Sequence, residues 1–164
     1  MSEARVLILM GSASDREVMQ KAADVLDGLG VRCTTRVASA HRSPGLVERL
    51  VAEAASDGTQ VIVAGAGMAA HLAGAVAART ILPVIGVPLD SGSLGGLDAL
   101  LSTAQMPPGV PVATVGIGAA GAANAGWLAA AILALQDGEL AERIRQRRQE
   151  TARAIEETDR QSKP

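Results

Sequence analysis

The sequence predicts an α/β fold, a three-layer α/β/α sandwich in which helices cover both faces of a parallel sheet. Continuous apolar runs such as Val6-Leu7-Ile8-Leu9-Met10 alternate with segments whose apolar residues recur at helical spacing. The runs show no polar alternation, which is typical of strands covered on both sides. We expect a single domain over residues 1–164, with its core over about 5–135 and a C-terminal helix over about 137–158.

Five strands and five helices are expected before that last helix. The apolar runs place the strands at 6–10, 31–38, 61–64, 83–89 and 110–117. The helices between them are expected to start near Asp15 and Pro44, to end near Arg79, and to cover 94–104 and 122–135. The second strand is the most polar, so we place it near an edge. Strands that alternate with helices favour a flavodoxin-like strand order.

The predicted helix over 122–135 is apolar almost all round, which is unusual for a surface helix in a small domain. Burial between subunits would explain this, so the sequence predicts a homo-oligomer. The uncharged stretch 112–135 is long enough to span a bilayer. We interpret it as a strand, a loop and a buried helix, because it contains several glycines and is rich in alanine where a lipid-facing helix favours leucine.

Composition excludes several other classes of protein. The net charge is −2, and Trp127 is the only aromatic residue, so neither a basic surface nor base-stacking side chains point to nucleic acid. The single cysteine, Cys33, excludes an internal disulfide and fits a reducing compartment. The first residues do not resemble a signal peptide, and we expect a cytoplasmic protein with no membrane partner.

Polar residues follow the first predicted strand, in the segment Gly11-Ser12-Ala13-Ser14-Asp15. As a plain turn, this segment would end in a capping box formed by Ser14 and Glu17. As a site, its N–H groups and hydroxyls would meet a phosphate, and Asp15 would accept hydrogen bonds from ribose hydroxyls. Taken alone, the plain turn is the better interpretation.

A second polar segment, Ser39-Ala40-His41-Arg42, follows the second strand. Histidine is the side chain that ordinarily exchanges protons near neutral pH, and an arginine guanidinium can bind phosphate or carboxylate. These are the groups that proton transfer on an anionic substrate requires. Because ligands bind beyond the carboxyl ends of parallel strands, the two segments predict one site, with His41 as its proton-transferring residue.

The segment Gly65-Ala66-Gly67-Met68-Ala69-Ala70 matches the dinucleotide pattern G-x-G-x-x-G/A, with Asp90 as a possible ribose acceptor. The match lies on the third strand instead of the first, and close packing of helix on strand would also explain the glycines. His71 fits equally a helix N-terminus and a wall of the site. The sequence contains no phosphate-binding P-loop and no metal-ligand cluster, so we expect no metal.

Four blocks together resemble the class I PurE family of purine biosynthesis. They are Met10–Asp15, Ser39–Pro44, Gly65–Leu72 and Gln105–Thr114, and the resemblance extends from about Val6 to Leu135. It departs from the family pattern at Met68, which often stands as glycine, at Ala73, which is usually proline, and at Thr103-Ala104. These departures lie in or near the expected pocket wall.

The resemblance implies a homo-octamer without a cofactor that moves a carboxylate from N5 to C4 of a small-molecule nucleotide, N5-carboxyaminoimidazole ribonucleotide. It implies that His41 is the general acid and base, that Ser12, Asp15 and Arg42 bind the nucleotide, and that Ser14 and Ser39 lie alongside. The block with Gly67, Ala70, His71 and Leu72 would surround the base and CO2. Two alternatives stay open: a class II enzyme that carboxylates aminoimidazole ribonucleotide directly with CO2, and a non-catalytic nucleotide-binding module.

Overall fold

One parallel sheet forms the centre of the computed structural model, which describes residues 4–162. Its strands are β1 (Val6–Met10), β2 (Cys33–Val37), β3 (Val61–Gly67), β4 (Val84–Leu89) and β5 (Ala113–Thr114). They lie in the order β2-β1-β3-β4-β5, and every neighbouring pair is parallel. The predicted flavodoxin-like order is therefore confirmed, and the polar strand β2 lies at an edge as expected.

Helices cover both faces of this sheet. They are α1 (Arg16–Gly28), α2 (Pro44–Ala54), α3 (Leu72–Ala77), α4 (Leu97–Ala104), α5 (Gly118–Leu133) and α6 (Gly138–Gln161). One buried cluster joins the sheet to α1, α5 and the start of α6, and another joins it to α2 and α3. The continuous apolar run of β1 follows from this arrangement: Val6, Ile8 and Met10 enter the first cluster, whereas Leu7 and Leu9 enter the second.

Helix α5 packs against α1 through small residues. A Cβ atom added at Gly126 would lie 2.7 Å from the carbonyl oxygen of Ala22, so only glycine permits this approach of the two helices. Trp127 is half-buried against the same cluster, beside Val25 of α1 and Arg147 of α6. Part of the apolar character of α5 is thus explained by contacts within the chain.

The first turns of helix α6 attach it to the fold. Asp137 caps its N-terminus by accepting from the Leu140 N–H at 3.0 Å, and forms an ion pair of 2.6 Å with Arg5. The guanidinium of Arg143 donates to the Leu29 carbonyl oxygen at 2.9 Å. Leu140 and Ile144 are buried, whereas every later residue of the helix is exposed.

Several boundaries differ from the sequence prediction: α5 covers Gly118–Leu133 instead of 122–135, α4 begins at Leu97 instead of 94, and two further differences have a clear physical reason. Strand β5 covers two residues instead of the predicted 110–117, because Pro111 has no N–H to donate and the chain reaches α5 soon after. The third helix begins only at Leu72, because Gly65, Ala66 and Gly67 continue β3 and pair with β4. None of the helices described within 4–162 is both long enough and apolar enough to cross a membrane.

Candidate functional site

A pocket of about 430 Å³ lies beyond the carboxyl ends of β1, β2 and β3. Most of the residues predicted for the site line it: Ser12, Ser14, Asp15, Ser39, His41, Arg42, Gly67, His71 and Leu72. Ala70 is the exception, since it is buried beside the pocket and does not line it. We call Gly11–Asp15 with Ser39–Arg42 the polar side of the pocket, and 65–72 with Ser91 the small-residue side.

The segment after β1 is held by a capping box that lies two residues earlier than predicted. The N–H of Ser12 donates to Oδ2 of Asp15 at 2.9 Å, and the N–H of Ser14 donates to Oγ of Ser12 at 3.4 Å. The predicted box of Ser14 and Glu17 is therefore wrong, because a short 3-10 turn over Ala13–Asp15 precedes α1. The Ser14 hydroxyl instead donates to Oγ of Ser12 at 2.8 Å.

Asp15 is the buried carboxylate of the polar side, with 9% of its surface exposed. Burial raises the pKa of Asp15 above its ordinary value of 3.8, because the charged form loses water. Hydrogen bonds from Ser12 and Ser14 and the positive charge of Arg42 act in the opposite direction on this pKa. The carboxylate is thus held in place by neighbours that also favour its charged form.

Arg42 connects the two segments of the polar side. Its Nη2 donates to the Gly11 carbonyl oxygen at 2.9 Å, and its backbone N–H donates to Oγ of Ser39 at 3.2 Å. The loop itself is closed by Ser43, whose Oγ accepts from the Ser39 N–H at 3.0 Å. The guanidinium therefore has a defined position beside the pocket.

The two histidines of the chain meet in this pocket. Nε2 of His41 lies 2.6 Å from Nδ1 of His71, and the rings cross at 70°. At this distance one nitrogen donates and the other accepts, so a single proton lies between them. Both rings are exposed within the chain. His71 therefore lines the pocket, and it is also the N-cap residue of α3, without a side-chain capping hydrogen bond, so both positions that its sequence context allowed are found.

The small-residue side depends on close approach of neighbouring side chains to the backbone of β3. A Cβ atom added at Gly65 would lie 2.2 Å from Sδ of Met19, and one at Gly67 would lie 2.3 Å from Oγ of Ser91. Both glycines belong to β3, so the G-x-G pattern does not form the turn from strand to helix that dinucleotide binding requires. Asp90 is exposed and is absent from the pocket lining.

Six lining residues were not predicted as site residues; four of them, Gly11, Ala40, Ala66 and Ala69, are small residues inside the predicted segments, and the other two are Ser91 and Met68. Ser91 follows β4, and the strand-end rule that found the polar side would have found it too. Met68 lies within a predicted block, but an apolar side chain gave no chemical signal. Within the part of the chain that the structure describes, no cluster of His, Cys, Asp and Glu could hold a metal ion.

Comparison with known proteins relates this pocket to one family. A family model described as AIR carboxylase matches residues 5–154. The curated N5-carboxyaminoimidazole ribonucleotide mutase of Bacillus subtilis is 52% identical over 92% of this chain and 93% of its own length. The Escherichia coli K12 protein of the same name is 50% identical over 95% of this chain and 93% of its own length.

A solved structure supports the same relationship. The crystal structure of Treponema denticola PurE has a TM-score of 0.88 at 32% identity, and covers 97% of this chain and 98% of its own. The match includes both strand-end segments and the glycine-rich end of β3, since the family model covers residues 5–154. The chain belongs to the AIR carboxylase family, as the resemblance to PurE predicted.

Proposed function

We propose that this enzyme converts N5-carboxyaminoimidazole ribonucleotide to 4-carboxy-5-aminoimidazole ribonucleotide in purine biosynthesis. The observation that carries the proposal is the placement of His41, Arg42 and Asp15 around one pocket. Such a set supplies a proton carrier, an anion-binding cation and a hydroxyl acceptor. Relatives that bear the mutase name at about half identity support the same reaction.

The polar side binds the nucleotide. The guanidinium of Arg42 and the hydroxyls of Ser12 and Ser14 contact the phosphate, and Asp15 accepts hydrogen bonds from the ribose hydroxyls. Ser39 lies alongside and fixes Arg42, because its Oγ accepts from the Arg42 N–H at 3.2 Å. The hydrogen bond from Arg42 to the Gly11 carbonyl oxygen supports this arrangement, because it fixes the distance between the loop after β1 and the loop after β2.

His41 transfers one proton twice. The bond between N5 and the carboxylate carbon breaks, CO2 leaves, and His41 gives a proton to N5. C4 then forms a bond to the CO2 carbon, and His41 takes the proton that C4 loses as the ring becomes aromatic again. Substrate and product differ only in the position of the carboxylate, so the proton that N5 gains is balanced by the proton that C4 loses. His71 orients the ring of His41 through the 2.6 Å contact.

The small-residue side surrounds the base and the CO2. Gly67 and Leu72 line the pocket without a polar side chain, and the buried Ala70 lies behind the lining between them. A carbamate loses CO2 readily, so the protein mainly has to exclude water and keep CO2 near C4. This chemistry requires neither a metal nor an organic cofactor.

The working form that we propose is a cytoplasmic homo-oligomer, an octamer of single-domain chains, with neither nucleic acid nor a membrane as a partner. Exposed leucines in α4 and just before it support assembly, since Leu94, Leu97 and Leu101 are each at least half exposed. They recur at helical spacing and would be covered by a second copy. Sedimentation velocity should find eight chains per particle. A monomer would contradict the assembly.

The first test uses substrate that carries 13C in its carboxylate, mixed with the enzyme in excess unlabelled bicarbonate and without ATP. Label retained in the C4-carboxylated product would support transfer inside a closed site. Loss of label, with product formed equally fast from aminoimidazole ribonucleotide and CO2, would indicate a direct carboxylase. Absence of product would favour a nucleotide-binding module.

The second test replaces His41 by asparagine. We expect turnover to fall by about 10²–10⁴-fold while nucleotide binding persists, because general acid–base catalysis contributes about that factor. His71→Asn is the matched variant, and we expect a smaller loss because His71 acts through His41. Turnover at the wild-type rate in His41→Asn would overturn the role of His41. A larger loss in His71→Asn would exchange the two roles.

A further inference from the structure

Met68 has an unusual backbone conformation at the pocket. Its φ angle is +53°, and among the residues from 4 to 162 it is the one non-glycine residue with positive φ. A residue with a Cβ atom is strained in this left-handed region, whereas glycine is not. The fold therefore tolerates strain at a position where glycine would remove it. This points to a use for the side chain itself.

The side chain of Met68 reaches from one loop of the pocket to another. It belongs to the segment between β3 and α3, where the N–H of Ala70 donates to the Met68 carbonyl oxygen at 2.8 Å and the N–H of His71 donates to Ala69 at 2.8 Å. A Cβ atom added at Gly92, in the loop after β4, would lie 3.7 Å from Cγ of Met68. Met68 lines the pocket and is still 59% exposed, so it lies at the mouth.

This mouth adjoins the end of the pocket where bonds change. Met68 precedes His71 by three residues in one short loop, and His71 contacts Nε2 of His41. The groups for phosphate and ribose lie across the pocket, on the polar side. A side chain at position 68 therefore stands beside the base and the CO2.

We infer that Met68 retains CO2: its thioether side chain covers the mouth of the pocket between loss of CO2 from N5 and its capture by C4. The inference rests on the proposed function. CO2 is small and uncharged, so a hydrogen bond or charge cannot keep it, and an apolar cover that excludes water can. Methionine suits this task because its flexible chain can move aside for the nucleotide and then close over it.

The test compares Met68→Gly with Met68→Leu in the 13C experiment. The glycine variant removes the cover and relieves the backbone strain, whereas the leucine variant keeps an apolar cover of similar size. We expect Met68→Gly to be at least as heat-stable as the wild type and to lose several-fold more label to bicarbonate per turnover. We expect Met68→Leu to retain label nearly as the wild type does.

Every other outcome would overturn the inference. Equal retention in the wild type and Met68→Gly would overturn the inference and leave the mutase proposal standing. Loss of label from Met68→Leu as large as from Met68→Gly would also overturn it, because any change in the loop would then open the site. Wild-type enzyme that retains no label would overturn both the inference and the mutase mechanism, and a wild type without product would overturn the proposed function.

Discussion

The two sides of the pocket are held together by different kinds of contact. On the polar side, side chains make the connections: Arg42 donates to the Gly11 carbonyl oxygen, and Asp15 accepts from the Ser12 N–H. On the small-residue side, neighbouring side chains pack directly on the β3 backbone, because Gly65 and Gly67 have no Cβ atom and leave that space to Sδ of Met19 and Oγ of Ser91. The polar side is thus defined by its side-chain groups, and the small-residue side by the absence of Cβ atoms at its glycines.

This difference predicts different responses to mutation. A substitution on the exposed polar side removes a group that faces the ligand, so it should reduce activity with little change in the free energy of unfolding. A substitution on the small-residue side inserts atoms where neighbouring side chains pack on the β3 backbone, so it should reduce both quantities together. Activity and stability measured side by side can therefore separate the two sides.

The largest effect among the tests of this comparison is expected from Arg42→Gln. We expect kcat/KM to fall about 100-fold, because a charge-assisted hydrogen bond contributes about 1.5–3 kcal/mol and a guanidinium can make two to one phosphate. The free energy of unfolding should change by less than about 0.5 kcal/mol, as is usual for exposed positions. Steady-state kinetics and urea unfolding measure the two quantities.

Arg79→Gln is the matched control for that variant. Arg79 is also exposed, donates to the Ala75 carbonyl oxygen at 2.8 Å and pairs with Glu48 at 2.9 Å, but it is absent from the pocket lining. Its kcat/KM should equal that of the wild type. Equal losses in the two variants would contradict the assignment of Arg42 to the nucleotide.

An intermediate effect is expected from Gly67→Ala. The new Cβ would lie 2.3 Å from Oγ of Ser91 and 3.3 Å from the Leu89 carbonyl oxygen, so the loop after β4 must shift. We expect a loss of about 1–3 kcal/mol in the free energy of unfolding from overpacking. A displaced wall should also lower kcat/KM about tenfold.

A second substitution and a control sharpen this prediction. Ser91→Gly removes the atoms that the new methyl group meets, so the double variant should recover most of the lost stability and activity. Gly45→Ala adds a methyl group in α2 where no atom lies within 4 Å. It should stabilise the protein by about 0.5–1 kcal/mol, because alanine is the better helix former. No recovery in the double variant would refute the clash as the cause.

The smallest effect concerns the pH dependence of stability and Asp15. Because burial raises its pKa in the folded state, the folded chain binds more protons than the unfolded chain between pH 3.8 and the raised pKa. The contribution of Asp15 to stability is therefore present below pH 3.8 and falls as pH rises through that window. In Asp15→Asn this decline should be absent, and thermal unfolding between pH 3 and 7 would measure it.

Asp137 serves as a control, because its pKa is shifted in the opposite direction to that of Asp15. The Leu140 N–H and the Arg5 guanidinium lower its pKa, so its contribution is present above pH 3.8 and is lost as pH falls toward the lowered value. The wild-type-minus-variant difference should rise with pH for Asp137→Asn and fall with pH for Asp15→Asn. Differences of the same sign would contradict the burial of Asp15 as the cause.

The polar side could be predicted from the sequence because its signals are chemical. His41 and Arg42 follow a strand directly, and the strand-end rule brings them to Ser12 and Asp15 without knowledge of any contact. The alternation of apolar runs and helical segments likewise predicts the sheet, because strands covered on both faces read as continuous apolar runs. Local pattern and tertiary structure agree at these positions.

The small-residue side could be predicted only in part, because its signals depend on tertiary packing. Gly65 and Gly67 match a turn pattern, yet pairing with β4 extends the strand through both. The capping box forms at Ser12 instead of Ser14, because the 3-10 turn brings the Asp15 carboxylate within reach of the Ser12 N–H. The positive φ of Met68 has no signal in a single sequence, since only the surrounding loops impose it.

Trp127 gives this protein a built-in spectroscopic reporter of known location. The chain has no tyrosine or phenylalanine, so its near-ultraviolet absorption and fluorescence come from one indole, between α1, α5 and Arg147 of α6. The signal will follow the docking of α6 on α1 and α5, and will report the substrate pocket only through long-range change. A fluorescence transition that coincides with loss of helical circular dichroism would show that the layer of α1, α5 and α6 unfolds as one unit with the other helices.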